Sequence, residues 1–206
     1  MKLKYICTLL AGTLLTATLF AQETPLKLNI NYNYSFPLSN FKKDAVENSS
    51  PRGFTGNLMY NTSSKLAVGL GIGYQDYYEK TGRQTYKYGQ SQDISAVVSN
   101  SIQQIPVMAR VEFTPGGGNT MVLPYVSIAA GANFVNYDQF LGQFVNHASA
   151  TGFRGQAGLG VKIPFGKNSG WGADIGGTYD YAPLKKWGFK DVSSANVHGG
   201  IYFSIK

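Results

Sequence analysis

The two histidines are the residues of this chain best suited to proton transfer or metal binding. His198 lies in the last alternating run of the sequence, on the face opposite Val197, Ile201 and Phe203. No carboxylate or second histidine stands at metal-ligand spacing from it, so we expect a structural histidine that hydrogen-bonds to its neighbours in the interior. The sequence therefore predicts no metal site and no cofactor.

His147 is followed two residues later by Ser149, and this His-x-Ser resembles the motif of outer-membrane lipid A deacylases. The resemblance implies a hydrolase that uses His147 and Ser149, and nucleophilic triads generally need an acid to orient the histidine. The residues that follow, up to Asp174, contain no acid. We therefore predict no catalytic residue and no enzyme, and keep a lipid A-modifying hydrolase as the alternative.

Two of the polar segments that join the alternating runs of the sequence carry clusters of aromatic and basic residues. Aromatic faces with nearby cations suit sugars and lipopolysaccharide phosphates, which makes binding at the surface one interpretation. An interfacial girdle with snorkelling lysines is the other. The candidate ligand contacts are Tyr78, Arg83, Tyr86, Tyr88, Lys186 and Trp187.

Residues 152–181 contain two runs in which apolar residues alternate strictly with small or polar ones, and a short turn joins the two runs. Such runs are typical of strands, so strands must position the residues named above. Leu159, Val161 and Ile163 alternate with small or polar residues before the turn, and Ile175 and Tyr179 do so after it. Such a pair predicts an antiparallel hairpin. Its second face is mostly glycine and small polar residues, which suits a crowded lumen and leaves the apolar face to meet lipid. The pattern predicts an outer-membrane β-barrel.

The same alternation recurs along the chain and predicts an all-β fold, an eight-stranded antiparallel transmembrane β-barrel of up-and-down topology. The connections alternate long and short, the asymmetry expected of extracellular loops and periplasmic turns. Because the first connection is long and the strand count even, we expect outer-membrane localisation with both termini in the periplasm. The four long connections are residues 37–52, 78–95, 137–151 and 182–195.

The fourth and fifth strands are less regular than the others. Ile102 and Ile105 are three residues apart, whereas Ile105 and the apolar residues after it alternate strictly. Because Pro106 cannot donate to the ladder and stands beside this slip, we predict a β-bulge at residues 103–106. For the fifth strand we expect an outward face made of Val126, Ile128, Ala130, Ala132 and Phe134.

The N-terminus has the features of a secretory signal peptide. Lys2 and Lys4 precede an uncharged run that ends at Ala21, so we expect the signal over residues 1–21 and the barrel domain over residues 22–206. The single cysteine, Cys7, lies inside this signal, which leaves the mature chain without thiol chemistry. Loss of the two lysines lowers the formal net charge of +7 to about +5. This spread charge suits anionic lipid headgroups and argues against nucleic acid.

Several charged residues occupy the alternate strand positions that face the lumen, which predicts that the lumen is plugged. If Phe165 faces Trp171 across the turn, Lys162 lies opposite Asp174. Arg154 then falls diagonal to Asp180, and Arg110 and Glu112 add a further opposite pair. Such charges should be paired, because an isolated one in a poorly hydrated lumen is strongly penalised. We expect a closed barrel without steady conductance, with a narrow channel as the alternative. The predicted network comprises Lys27, Arg110, Glu112, Arg154, Lys162, Asp174 and Asp180.

Three stretches carry a resemblance to a known family: QQIPVMARVEF, PYVSIAAGANF and FAQ at the end of the signal. With the eight-strand layout, they resemble the outer-membrane β-barrel domain family common in Bacteroidota, and more loosely the small OmpA-type barrels. The resemblance implies a small, porin-like, non-enzymatic protein of the cell envelope, either structural or binding through four extracellular loops. Its expected partners are outer-membrane lipid, lipopolysaccharide, the outer-membrane assembly machinery and an unidentified extracellular ligand. A soluble lipocalin-like carrier is a further alternative.

Overall fold

The computed structural model is an all-β barrel that describes residues 26–88, 92–116, 121–141, 144–166 and 170–205; the expected signal peptide lies outside these ranges. Within them, no helix is long and apolar enough to span a membrane. The elements in chain order are β1 (Leu26–Pro37), α1 (Ser39–Asp44), β2 (Ser50–Asn61), β3 (Leu66–Tyr88), β4 (Gln92–Phe113), β5 (Leu123–Leu141), β6 (Phe144–Pro164), β7 (Trp171–Tyr181), β8 (Pro183–Lys186), β9 (Phe189–Asp191) and β10 (Ser194–Ile205).

Eight of the described strands close into a barrel in the order β1-β10-β7-β6-β5-β4-β3-β2, and each pairs antiparallel with its neighbours. β1 and β10 close the ring with pairs that run from Leu26↔Ile205 to Pro37↔Ser194. β8 and β9 form a separate two-stranded sheet. The predicted eight-stranded up-and-down barrel is therefore confirmed. The end where β1 leads to α1 is called the loop end below, and the opposite end the turn end.

Alternation gives the barrel an apolar outer face and a polar interior. Leu159, for example, is 68% exposed on the outer face, whereas the neighbouring inward side chains of Lys162 and Asp174 are buried. The expected outward face of β5 is also observed, because Val126, Ile128 and Phe134 are exposed and Ser127 and Asn133 are buried. The outer face therefore needs an apolar environment around it.

The wall of the barrel is uneven in height. β3 to β6 have 23, 22, 19 and 21 residues, whereas β1, β2, β7 and β10 have 12, 12, 11 and 12. The predicted loops at residues 78–95 and 137–151 are wrong, since the strands there stay paired up to Tyr88↔Gln92 and Leu141↔Phe144. Beyond the apolar band of the outer face, neither face of a strand has to be apolar. These polar, Thr- and Tyr-containing segments therefore pair as strands without the alternation of apolar and polar residues that marks strands elsewhere.

The predicted bulge at residues 103–106 is also wrong. β4 pairs with β5 in one unbroken register, in which Pro106 faces Asn133. On the other side, the β3–β4 ladder keeps the same register from Ile72↔Val107 to Gln75↔Gln104, and its register shifts further toward the loop end, between Thr81 and Gln84. The strand therefore keeps one phase throughout, and Ile102 points inward.

The first and last long connections of the chain fold over the loop end. Residues 38–49 contain the short helix α1, and residues 182–193 contain the β8–β9 hairpin, neither of which the alternation predicts. The backbone N–H of Leu38 donates to the carbonyl of Ser193 at 3.1 Å, which ties the two connections together. They therefore form one lid over the barrel interior.

Candidate functional site

The lower layer of the lumen, nearest the turn end, is organised by Lys162. Lys162 and Asp174 are cross-strand partners, which confirms the predicted register. The predicted ion pair between them is nevertheless wrong, because the Lys162 ammonium donates to Oε1 of Glu112 and lies 4.8 Å from the ring centroid of Tyr125. Lys27 lies closer to the turn end, half-buried, with its ammonium 5.8 Å from the Tyr202 ring. Long side chains thus reach across the lumen instead of pairing along the hairpin.

Asp174 is held mainly by uncharged donors. The Tyr125 hydroxyl donates to Oδ1 of Asp174 at 2.9 Å, and Nδ2 of Asn31 donates to Oδ2 at 3.3 Å. Nε2 of His198 lies 3.0 Å from the Tyr125 hydroxyl and 4.0 Å from Asp174. His198 is therefore a buried, hydrogen-bonded lumen residue, as predicted. Gly176 makes room for it, since a Cβ there would come within 2.8 Å of the imidazole.

The upper layer of the lumen is centred on Asp180. Arg154 forms the predicted diagonal ion pair with it, and Asn196 and Gln156 also donate to its carboxylate, Gln156 at 2.7 Å. Arg110 donates to Ser127 at 2.9 Å and to Gln156 at 3.3 Å, whereas Glu112 belongs to the lower layer. The expected pairing of Arg110 with Glu112 is therefore replaced by contacts to separate partners.

Between these layers lies a cavity of about 30 Å³ lined by Asn31, Arg110, Arg154, Asp180 and His198, among others. Such a volume holds about two water molecules. A second cavity of about 40 Å³, lined by Lys27, Glu112 and Lys162 among others, lies near the turn end. Apart from such small cavities, side chains fill the described part of the lumen, as an eight-stranded barrel permits. No group of three or more His, Cys, Asp or Glu side chains that could hold a metal ion occurs among the described residues.

The loop end is closed by an apolar cluster, here called the cap. The helix connection supplies Phe41 and Val46, and the hairpin connection supplies further apolar side chains. Phe41 is fully buried, with its ring centroid 4.9 Å from that of Tyr77 in an edge-to-face arrangement. The remaining buried members are Ile102, Val135, Ala182, Leu184, Phe189 and Val192. In the sequence, the three-residue spacing between Ile102 and Ile105 indicated this cluster, because it places the apolar side chain of Ile102 on the inner face.

The predicted ligand contacts do not form one cluster. Tyr78 is exposed on the outer face, where its hydroxyl donates to Ser99 at 3.2 Å. Trp187 stacks inside the mouth on Tyr137, with ring centroids 5.7 Å apart and planes at 26°. Lys186 beside it is exposed. Arg83, Tyr86 and Tyr88 lie in β3, and their side chains are outside the described part of the structure.

His147 has an acidic partner that the sequence argument missed. It faces Asp138 across the β5–β6 ladder, and its Nδ1 is hydrogen-bonded to Oδ1 of Asp138. Ser149 lies two residues along β6 from His147 and therefore shares its face. The acid precedes the histidine in the chain, so a search of the following residues could not find it.

Comparisons with known proteins agree with this architecture. Residues 7–203 match the family model described as outer membrane protein beta-barrel domain, while no curated protein matches the chain. Neisserial surface protein A aligns with a TM-score of 0.54 at 14% identity, over 88% of this chain and 97% of that one. A major outer membrane protein from Thermus thermophilus gives 0.53 at 12%, over 87% and 99%. The Yersinia pestis attachment invasion locus protein, in complex with the heparin analogue sucrose octasulfate, gives 0.52 at 17%, over 89% and 100%.

Proposed function

Since the chain belongs to the outer membrane protein beta-barrel domain family, we propose that it is a non-enzymatic outer-membrane barrel with a closed lumen, which is structural or binds a ligand through its loop end. The stretches QQIPVMARVEF and PYVSIAAGANF support a place among the small barrels common in Bacteroidota. Outer-membrane lipid and lipopolysaccharide surround the apolar face, and the outer-membrane assembly machinery inserts the chain. Nucleic acid is not a partner.

The observation that carries this proposal is the cap. Its buried side chains come from two connections and from the inner faces of the taller strands, so they block the mouth across its width. Below the cap, the carboxylates of Asp180 and Glu112 are each paired with a buried cation. An ion entering this lumen would have to displace an apolar cluster and then separate buried ion pairs, both of which are costly.

The orientation follows from the unequal ends of the barrel. Short turns face the periplasm in barrels of this kind, and longer segments face outward. The tall strands, α1 and the β8–β9 hairpin all lie at the loop end, so we place that end outside the cell and both termini in the periplasm. Proteolysis of intact cells tests this placement, because a protease added outside should cut the loop end and spare an epitope fused after Lys206.

Conductance in planar bilayers tests the closed lumen. We expect no steady current from the unmodified protein. A Phe41→Ala/Phe189→Ala variant, which removes two rings from the cap, should show intermittent openings. Ile128→Ala/Leu159→Ala, which removes two outward side chains of similar character, is the matched control and should stay silent. A large stable current through the unmodified protein would refute the closed lumen and favour the channel alternative.

A second candidate function, hydrolysis of lipid A, is favoured by the hydrogen bond between His147 and Asp138. The carboxylate can orient the imidazole, and Ser149 lies on the same face as a nucleophile. This face points outward from the barrel. The candidate requires that purified protein release an acyl chain from lipid A, and that Ser149→Ala and Asp138→Asn each lower the rate at least tenfold. We expect no release from the unmodified protein; robust release that depends on His147 would replace the first proposal by the second.

A further inference from the structure

The β8–β9 hairpin turns through two residues in the left-handed region. Trp187 has φ of 55° and Gly188 has φ of 85°. This conformation is unfavourable for a bulky residue such as tryptophan and persists only where the surroundings stabilise it. Here Trp187 stacks on Tyr137 of the wall and also meets Phe189 edge-to-face. The turn therefore fixes an aromatic ring at the border between the cap and the tall wall.

Lysines crowd the outer surface of the same hairpin. Lys185 and Lys190 lie on adjacent strands between the pairs Pro183↔Asp191 and Lys186↔Phe189, and both are exposed. Residues 182–193 contain three lysines and one acid, Asp191, which accepts a hydrogen bond from Asn40 at 2.9 Å. Like charges on neighbouring strands repel each other, so the free hairpin is less stable than a neutral one would be. An anion bound between the lysines would relieve this repulsion.

The wall above Trp187 offers hydrogen-bonding groups. The Tyr137 hydroxyl donates to Oδ1 of Asn100 at 3.1 Å and accepts from Nε2 of Gln139 at 3.1 Å. All three side chains have the inward parity of Gln104 and Asn133, so they face the mouth and not the surrounding lipid. Amides and hydroxyls of this kind suit the hydroxyl groups of sugars.

We propose that these groups form one binding site, the mouth corner, for a saccharide that carries phosphate or sulfate groups. The mouth corner comprises Asn100, Tyr137, Gln139, Lys185, Trp187 and Lys190. The aromatic pair receives a sugar ring, the amides bind its hydroxyl groups, and the lysines bind its anionic substituents. This inference deepens the proposed function and rests on the loop end facing outward.

The ligand is a saccharide that arrives from the solution and not a lipid of the surrounding leaflet. The mouth corner lies on the inner side of β4 and β5, so these strands stand between its amides and the apolar outer face. The three hairpin lysines are exposed to solvent, whereas Leu184 and Phe189 of the same hairpin enter the cap. A leaflet lipid would have to leave its neighbours and bend over the wall to reach them.

Fluorescence titration tests the proposal. The chain has two tryptophans, so Trp171→Phe leaves Trp187 as the single reporter. This variant, in nanodiscs of zwitterionic phospholipid, is titrated with dextran sulfate, dextran phosphate, unmodified dextran and inorganic polyphosphate. We expect a saturable change in Trp187 emission with the two anionic dextrans, weakened by added salt. Unmodified dextran and polyphosphate should each bind much more weakly, because each lacks one half of the recognised chemistry.

Charge-matched variants locate the site. In the Trp171→Phe background, Lys185→Gln/Lys190→Gln should weaken dextran sulfate binding by about tenfold. Lys65→Gln/Lys80→Gln removes the same charge from exposed positions outside the cap and should leave the affinity unchanged. Asn100→Ala/Gln139→Ala should weaken binding without changing its salt dependence.

Three results would overturn the proposal. Equal losses in the two lysine variants would show that binding follows net charge alone, and polyphosphate that binds as tightly as dextran sulfate would remove the sugar from the site. A response of Trp187 to lipopolysaccharide in the nanodisc, with none to the soluble dextrans, would assign the site to a leaflet lipid. None of these results changes the conductance expected of the closed barrel, so the two proposals can fail independently.

Discussion

The ion pair between Arg154 and Asp180 allows the sharpest test of how the lumen is stabilised. Both side chains are almost completely buried, and Asn196 and Gln156 also donate to the carboxylate. Asp180→Asn keeps the size of the side chain and an acceptor oxygen but removes the charge. Removing one partner of a buried pair leaves an uncompensated charge, so we expect a loss of about 3–5 kcal/mol in the free energy of unfolding.

Two further variants separate charge from packing. The Arg52–Asp76 pair at 3.2 Å is the partly exposed counterpart, since the Arg52 side chain is 62% exposed and that of Asp76 is 13% exposed. Water can solvate Arg52 when its partner is neutralised, so Asp76→Asn should cost less than about 1 kcal/mol. Arg154→Met/Asp180→Asn removes both buried charges, and the new amide can still accept from Asn196. This double variant should therefore be more stable than Asp180→Asn alone.

Urea unfolding of the protein refolded into lipid vesicles measures all of these variants, with heat-modifiable gel mobility as the check that each has folded. The reasoning is wrong if Asp180→Asn lowers the free energy of unfolding no more than Asp76→Asn does, because burial would then not change what a charge contributes to stability. It is equally wrong if the double variant is less stable than the single one. That outcome would mean that Arg154 contributes through packing and not through its charge.

Other changes follow from the facing of the side chains. Leu70→Arg on the outer face should lower the unfolding free energy by about 2–4 kcal/mol in the same urea assay. Gly71→Ser on the inner face should be mild, because the close contact of the new Cβ is with the flexible end of the Asn57 side chain. Phe41→Ala should cost about 3–5 kcal/mol, because the ring is fully buried in the cap; a cost near zero would mean that the cap is not packed. A cysteine in place of Ile105 should react with a lipid-soluble maleimide, whereas one in place of Ile102 should be protected; reaction at both positions would restore the bulge, which places both side chains on the outer face.

The sequence was sufficient for the parts of the fold in which one face of a strand meets an apolar phase. Strict alternation of apolar and polar residues reflects the contrast between the two faces of a strand. The predicted phase of β5 and the predicted register of Lys162 with Asp174 are correct for this reason. Outside the apolar band the contrast disappears. The outer parts of β3 to β6 therefore looked like loops, although β3 remains paired with β4 and β5 with β6, apart from a register shift between Thr81 and Gln84.

Side-chain partners were harder to predict than strand partners. Cross-strand position gives the separation of two Cα atoms, but a long side chain such as that of Lys162 can reach a different wall of a narrow barrel and bind Glu112. Arg154 pairs with Asp180 as expected because its alternatives are neutral. Asp138 was missed for a different reason: it is the direct cross-strand partner of His147, but it precedes the histidine in the chain.

The cap and the lumen network are physically connected, and this connection explains why both close the barrel together. Oε1 of Gln104 accepts from Arg154 at 2.8 Å and from Asn133 at 3.2 Å, so it is fixed by the upper layer of the lumen. The amide nitrogen of the same side chain lies 3.5 Å from the carbonyl oxygen of Val192, a member of the cap. Because Gln104 is fully buried, neither contact can be replaced by bulk water without opening the mouth. Loss of the Arg154–Asp180 pair therefore removes a support of the cap as well as a charge.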